Sequence, residues 1–188
     1  MTDIPGIHTV QYCMDTSERG PADRACQVRQ VAVPAEARAL STLSRVDYAD
    51  AFVVDTDLGQ DRTAEQWPRL ILQGAPVRIR TRLLVGWSMI GLKLGRGGFD
   101  RSVLGWELRA NTADFVLLGA DSRIGMPGEL LFKPTPGALL FCTFVQQDNC
   151  IARAVWTAIE PVHVRVVRDV LEHAGRRLRS TLLARGES

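Results

Sequence analysis

The chain has 188 residues, of which 23 are Lys or Arg and 21 are Asp or Glu, so its formal net charge is only +2. That length suits a single domain with a substantial core, and so small a charge argues against a nucleic-acid-binding protein. The longest uncharged apolar stretch, residues 83–92, falls well short of the roughly 20 residues that cross a bilayer, which argues against an integral membrane protein.

The beginning of the chain predicts little regular structure. Residues 1–27 have few apolar side chains at regular spacing, and we interpret them as a loosely ordered extension of a single domain over residues 28–185. No basic segment is followed by an apolar one, so we expect no secretion signal and a cytoplasmic protein. The four cysteines lack metal-type spacing and are expected to remain reduced thiols.

Two strands are predicted in the first third of the domain. Residues 28–33 favour a short edge strand that Pro34 ends. Residues 47–55, DYADAFVVD, combine aromatic and β-branched side chains and predict the first main strand.

Two helices are expected after this main strand. Thr63 and Gln66 have the spacing of a capping box, which predicts a helix over residues 63–73. The second helix is predicted over residues 76–93, and Gly95 is expected to end it.

Beyond residue 98 the apolar residues follow a period of two, which is typical of strands. Strands are expected around residues 104–109, 113–120, 124–133 and 138–146. Because short turns join them, they predict an antiparallel meander.

The last stretch of the chain, residues 149–185, predicts one long amphipathic helix. At about 100° per residue, apolar side chains between Trp156 and Ala174 fall within about 60° of His163, and the charged ones fall on the far side. Pro161 lies inside, so a kink or a short first segment that ends near Ile159 is expected. A helix with one apolar side must cover an apolar surface, which predicts an α+β fold with the helices on one face of a curved antiparallel sheet.

Four segments carry a resemblance to a known superfamily. They are DYADAF (47–52), GAPVRIRTRLLVGWSMIGLK (74–93), VLLGADSR (116–123) and the pattern W-x-x-I-x-P-x-H (156–163). In this order they resemble a bacterial family of unknown function within the START-like, or SRPBCC, superfamily, which includes polyketide cyclases and dehydrases. The resemblance covers about residues 45–180. The next strand carries a His in that family but reads IGMPGELLF here, which implies an altered pocket wall.

The resemblance implies a helix-grip fold, in which an antiparallel sheet wraps around the long C-terminal helix. It also implies a cavity between the sheet and this helix that binds an apolar ligand. The family has no established activity, so the resemblance implies a fold more than a function.

His163 is the main candidate site residue, because it lies in the middle of an apolar stripe. It can be a core histidine bonded to a backbone carbonyl or to Tyr48, a cavity group that binds the polar end of a ligand, or a general acid or base. The last role needs a partner carboxylate, and Asp50 and Asp114 qualify only if their strand faces point inward.

Nine side chains are expected to line a ligand site between the sheet and the C-terminal helix, although aromatic and apolar residues of this kind are also typical of a plain core. They are Tyr48, Trp87, Trp106, Phe115, Phe132, Phe141, Trp156, His163 and Val167. No metal site is expected, since the three histidines lack ligand spacing. No cofactor is expected either, because the glycine-rich residues 95–98 lack a P-loop lysine.

Three functions follow as hypotheses. The first is a protein that binds a lipid, polyketide or similar hydrophobic metabolite in the cavity, with His163 at the polar end of the ligand. The second is a cyclase- or dehydratase-like enzyme in which His163 acts as acid or base. The third is a protein- or membrane-interaction module that uses the basic and apolar helix after Val77. The sequence predicts neither the identity of a ligand nor the oligomeric state.

Overall fold

The structure is a computed structural model that describes residues 27–55, 62–95 and 101–186. Nearly all of the predicted N-terminal extension, residues 1–27, lies outside the described residues. The elements follow in this order: β1 (Val28–Val31), α1 (Ala35–Arg38), β2 (Tyr48–Asp55), α2 (Gln66–Pro68), a π-helical segment (Arg69–Gln73), α3 (Val77–Met89), β3 (Leu92–Lys93), β4 (Ser102–Val103), β5 (Trp106–Asn111), β6 (Val116–Ser122), β7 (Gly128–Thr135), β8 (Ala138–Val145) and α4 (Cys150–Gly186).

The strands of the described residues form an open antiparallel sheet. Its order is β1-β2-β8-β7-β6-β5-β4, and β3 pairs with the end of β6. Strands β5 to β8 follow one another in sequence and each pairs with the next, which confirms the predicted meander. The α+β class, with an antiparallel sheet and a long C-terminal helix, is also confirmed.

Side chains along the central strands alternate between two buried faces of the sheet. On one face, Phe52, Leu118 and Phe141 belong to a core that Val170 and Leu171 of α4 complete. The other face carries a second core, covered by partly buried side chains of residues 31–46, and its buried members are Ala37, Ala51, Leu117, Leu131, Leu140, Cys142 and Phe144. The sheet therefore separates two cores, one under α4 and one under residues 31–46.

The prediction of a helix over residues 76–93 is wrong at its C-terminal end. Helix α3 ends at Met89, and Leu92 and Lys93 instead pair with Ser122 and Asp121 as a short strand. The chain turns at Gly91, whose φ is +77°. Glycine adopts this left-handed conformation without a steric penalty, so Gly91 and not Gly95 ends the helix.

The predicted helix over residues 63–73 forms only in part. The α-helical turn covers Gln66–Pro68, and the chain then widens into a π-helical segment. Half of the capping box forms, because the backbone N–H of Thr63 donates to Oε1 of Gln66 over 3.3 Å. Pro68 has no N–H to continue an α-helical ladder, which is a local reason for the irregular geometry.

The long C-terminal helix is confirmed. Asn149 caps it, since its Oδ1 accepts a hydrogen bond from the backbone N–H of Ala152 at 2.8 Å. The expected break near Ile159 is absent, and Pro161 lies within one continuous helix. Proline removes the bond to the carbonyl of Thr157, but both residues are exposed, so water can hydrate that carbonyl.

Candidate functional site: an apolar cavity beside a Tyr–Asp–His cluster

A cavity of about 240 Å³ lies between α3, α4 and the sheet. Its walls come from α3, α4, the π-helical segment and strands β7 and β8, through Ile71, Leu72, Arg82, Leu83, Gly86, Trp87, Ile90, Leu130, Phe141, Trp156, Ile159, Val162, His163, Val166, Val167, Val170 and Leu171. Arg82 and His163 are the only ionisable side chains among these lining residues. Val162 is 50% exposed, and Arg82 and Gly86 are also exposed, so these three residues mark the mouth.

The wall that α4 contributes follows from helical periodicity. Trp156, Ile159, His163, Val167 and Val170 recur every three or four residues and all line the cavity. The predicted stripe centred on His163 is therefore confirmed. Exposed polar residues occupy the outer side of the helix, including Arg165, Arg168 and Asp169.

His163 is held by a buried carboxylate on β2. Its Nε2 lies 3.1 Å from Oδ2 of Asp50, and the Asp50 side chain is only 2% exposed. The hydroxyl of Tyr48 donates to the same oxygen over 3.0 Å. Residues i and i+2 of a strand share a face, which explains why Tyr48 and Asp50 point together toward α4.

This hydrogen bond fixes the histidine tautomer. A carboxylate only accepts hydrogen bonds, so Nε2 of His163 carries the proton, an assignment made from the hydrogen-bond geometry. The other ring nitrogen, Nδ1, has no hydrogen-bond partner among the described residues, and in a neutral imidazole it holds a lone pair. His163 also lines the cavity, so its ring lies within reach of a bound molecule.

The electrostatics keep Tyr48 as a donor. Burial, followed by the charge of Asp50 and its hydrogen bond, raises the pKa of Tyr48, so its phenol stays protonated. Cys142, on the opposite face of the sheet, is not a nucleophile at neutral pH, because burial and the Asp50 charge raise its pKa to about 12.

Three buried polar atoms around this cluster lack a hydrogen-bond partner among the described residues. They are Oδ1 of Asp50, Oγ1 of Thr143 and Nε1 of Trp156. Thr143 is the cross-strand neighbour of Asp50, and the ring centroid of Trp156 lies 5.1 Å from that of His163. Unpaired buried polar atoms are costly in a plain core and are expected at sites that bind water or a ligand.

The structure brings most of the predicted site residues together. Five line the cavity, namely Trp87, Phe141, Trp156, His163 and Val167. Three lie one layer behind: Tyr48 packs on Trp156 with a centroid distance of 4.6 Å, Trp106 on Trp87 at 5.3 Å, and Phe132 on Phe141 at 5.1 Å.

Phe115 does not lie at the cavity. It packs with Leu117 and Phe144 in the core on the opposite face of the sheet. Val116 and Leu118 point toward α4, and because a strand alternates with a period of two, Phe115 must point away.

The partner of His163 was left open by the sequence, with Asp50 and Asp114 both considered. Asp114 is exposed in the turn between β5 and β6, so only Asp50 reaches the histidine. The signal was present in DYADAF, where a charged residue lies inside a strand of otherwise apolar inward-facing side chains.

Sequence reasoning also missed Ile71 and Leu72, because the part of the cavity wall that they form depends on the π-helical geometry of residues 69–73.

Other features bear on the remaining hypotheses. Met89 is 81% exposed and Val85 52% exposed, whereas Trp87 is partly buried and lines the cavity. The described helices contain no stretch that is both long and apolar enough to cross a membrane. The described residues also contain no cluster of three or more His, Cys, Asp or Glu side chains that could hold a metal ion.

The comparisons with known proteins identified no relative of this chain. No family model, no curated protein and no solved structure matches the chain.

Proposed function

We propose that this chain is a START-like protein that binds a hydrophobic small molecule, such as a lipid, polyketide or similar metabolite, in the cavity between α3, α4 and the sheet. The observation that carries the proposal is an apolar cavity with one buried polar wall, formed by His163 on its Asp50 support. Apolar walls supply most of the affinity, and a few convergent polar groups orient the ligand. The order of elements, with a long helix after an antiparallel meander, supports a helix-grip fold.

The dimensions limit the ligand. A cavity of about 240 Å³ lies just below the roughly 300–1,000 Å³ of typical ligand pockets. An adjoining groove of about 120 Å³ between α3 and α4 shares Arg82, Leu83, Val166 and Val170 with the cavity. A compact ring system or a short acyl chain therefore fits better than a diacyl lipid.

The test uses N-phenyl-1-naphthylamine, a neutral apolar dye that fluoresces when it leaves water. Gly86 lies at the mouth, and a Cβ built there meets no atom within 4 Å. The variant Gly86→Phe should therefore fold and block the mouth, and dye affinity should fall about tenfold or more from lost apolar contact. Val85→Phe is the matched control, because Val85 is exposed and does not line the cavity.

The proposal fails if wild-type protein does not bind the dye, or if both variants bind it equally well. Native mass spectrometry of protein purified without detergent supplies the second readout. A co-purifying apolar molecule that is lost in Gly86→Phe and retained in Val85→Phe would identify the natural ligand class.

A second candidate function, an acid–base enzyme of the polyketide cyclase type, is favoured by the hydrogen bond between His163 and Asp50. In this mechanism Nδ1 of His163 removes a proton from a carbon beside a ligand carbonyl. The resulting enolate attacks a second carbonyl of the same chain and forms a carbon–carbon bond. His163 then returns its proton to the new alkoxide. Asp50 stabilises the transient imidazolium, as a buried carboxylate does in a catalytic triad.

This candidate has its own test. 2-Tetralone is a compact ketone, and NMR measures how fast its α-hydrogens exchange in D₂O. Wild-type protein should accelerate the exchange and His163→Gln should not. Arg168→Gln is the control, because Arg168 is exposed on the same helix and does not line the cavity. If wild type and His163→Gln exchange at the same rate and both bind the dye, the acid–base candidate is rejected and the binding function stands.

A further inference from the structure

A second cavity, of about 220 Å³, lies further along α4. Its lining comes from the π-helical segment and the turn after it, from α4, and from Arg62: Arg62, Leu70, Ile71, Gly74, Ala75, His173, Ala174, Arg177 and Leu178. Ile71 lines this cavity and the first one. The two cavities are therefore neighbours, with Leu171 on the wall of the first and Ala174 on the wall of the second.

The polar side chains that line this second cavity are two arginines and one histidine. Nε of Arg62 and Nε2 of His173 are both buried without a partner among the described residues. Arg177 also lines the cavity, and its Nη1 donates to the carbonyl of Gly74.

No acidic side chain is among the lining residues. Two acidic residues close to these side chains in the sequence are already paired, since Glu172 pairs with Arg176 at 3.6 Å and Glu65 with Arg69 at 2.9 Å. A buried guanidinium nitrogen without an acceptor is costly, and the cost disappears when an anion supplies the acceptor. Such an arrangement is expected where an anion binds.

We propose that Arg62, His173 and Arg177 form a binding site for an oxyanion, a carboxylate or a phosphate. Arginine N–H groups match the paired oxygens of these groups, and Nε2 of His173 supplies one further donor. The oxyanion is either a free anion or the acidic end of the ligand in the first cavity. The second source rests on the proposed function, whereas the site itself does not.

The first experiment measures inorganic phosphate binding by isothermal titration calorimetry. Wild type should bind phosphate, and Arg62→Met and His173→Leu should each lose about tenfold or more in affinity, because each removes a charge-assisted or buried hydrogen bond. Arg176→Met is the matched control, since Arg176 is exposed on the same helix and pairs with Glu172. Its phosphate affinity should stay within about twofold of wild type.

Folding of each variant is checked by urea unfolding in phosphate-free buffer. Arg62→Met should be at least as stable as wild type there, because it removes a buried unpaired donor. The site is disproved if wild type binds no phosphate, or if Arg62→Met and Arg176→Met bind it equally well.

Dodecanoate distinguishes the two sources. If the acid group belongs to the ligand of the first cavity, dodecanoate affinity should fall in Arg62→Met and also in Gly86→Phe. If the anion is free, phosphate binding should depend on Arg62 while dodecanoate binding does not. If wild type binds phosphate but not the dye, the proposed function is rejected and this site stands. If wild type binds the dye but not phosphate, this site is rejected and the proposed function stands.

Discussion

Two buried carboxylates lie on opposite faces of the same sheet and have very different surroundings. Glu129 on β7 is 0% exposed. It accepts hydrogen bonds from Ser41 Oγ at 2.6 Å, from the backbone N–H and Oγ1 of Thr42, and from Nη1 of Arg109 at 3.3 Å. Asp50 on β2 is 4% exposed, yet Tyr48 and His163 share one of its oxygens and the other has no partner.

Under the proposed function, this difference separates a carboxylate that serves only the fold from one that supports the site. Both oxygens of Glu129 accept hydrogen bonds from residues 41 and 42, which hold these residues over the second core. Glu129 therefore stabilises the fold. Asp50 contacts His163 through Oδ2, whereas its Oδ1 has no partner among the described residues and lies on the strand position opposite Thr143. Burial with incomplete hydrogen bonding is therefore a better reason than burial alone to test a residue for function.

The largest expected effect on stability is at Glu129. Glu129→Leu removes the acceptor of Ser41, Thr42 and Arg109 and should lower the free energy of unfolding by about 3–5 kcal/mol. Urea unfolding followed by tryptophan fluorescence measures the change. Dye binding by the molecules that remain folded should persist, because Glu129 faces away from the cavity. A loss below 1 kcal/mol would remove the distinction between the two carboxylates.

If the acid–base candidate holds, Asp50→Asn should slow the chemistry and leave the fold intact. The amide no longer fixes the proton on Nε2 of His163, so α-hydrogen exchange of 2-tetralone should fall by about 10²-fold. The free energy of unfolding should change by less than about 1 kcal/mol, because one Asp50 oxygen is already unpaired. Exchange at the wild-type rate would show that Asp50 does not support His163 as a base.

Single hydroxyl groups on the two faces provide a finer comparison. Ser41→Ala removes a 2.6 Å hydrogen bond to Glu129 and should cost about 1.5–3 kcal/mol, as bonds to charged groups do. Thr143→Val removes a buried hydroxyl that has no partner and should be neutral or slightly stabilising. Thermal unfolding of both variants tests this, and equal losses would contradict it.

The last prediction concerns Tyr48 and alkaline pH. The folded protein raises the pKa of Tyr48 above its unfolded value, so the native state holds a proton that the unfolded chain releases. This contribution to stability is complete below about pH 10, the unfolded value, and declines as the pH rises above it. Wild type should lose up to about 1.4 kcal/mol per pH unit more than Tyr48→Phe above pH 10. Parallel urea midpoints for the two proteins from pH 9 to 11 would refute the assignment.

Much of the fold was predictable because it follows from periodicity. The two-residue alternation of the last four strands and the apolar stripe around His163 each place side chains on one face without knowledge of the rest of the chain. The errors are local and have local causes. Gly91 takes a left-handed conformation and ends α3 early, and Pro68 interrupts the helix predicted over residues 63–73.

In the candidate site, the aromatic wall and the place of His163 were predictable, but the contact between His163 and Asp50 was not. The bond between Asp50 and His163 joins residues 113 positions apart, and no local pattern specifies which strand residue α4 will cover. Phe115 was misplaced for a related reason, since alternation shows which residues share a face but not which face meets the helix. No sequence pattern indicated that Arg62 and His173 lie close together, because only the packing of α4 on the π-helical segment brings them to the same cavity.

The continuity of α4 has one further consequence, for the length of a ligand. His163 and His173 lie ten residues apart on one unbroken helix, a rise of about 15 Å at 1.5 Å per residue. If both proposed sites hold one ligand, only a molecule with polar groups about that far apart can contact both histidines. Shorter relatives of such a compound would occupy one end or the other, so affinity across a homologous series should increase abruptly at the chain length that spans both.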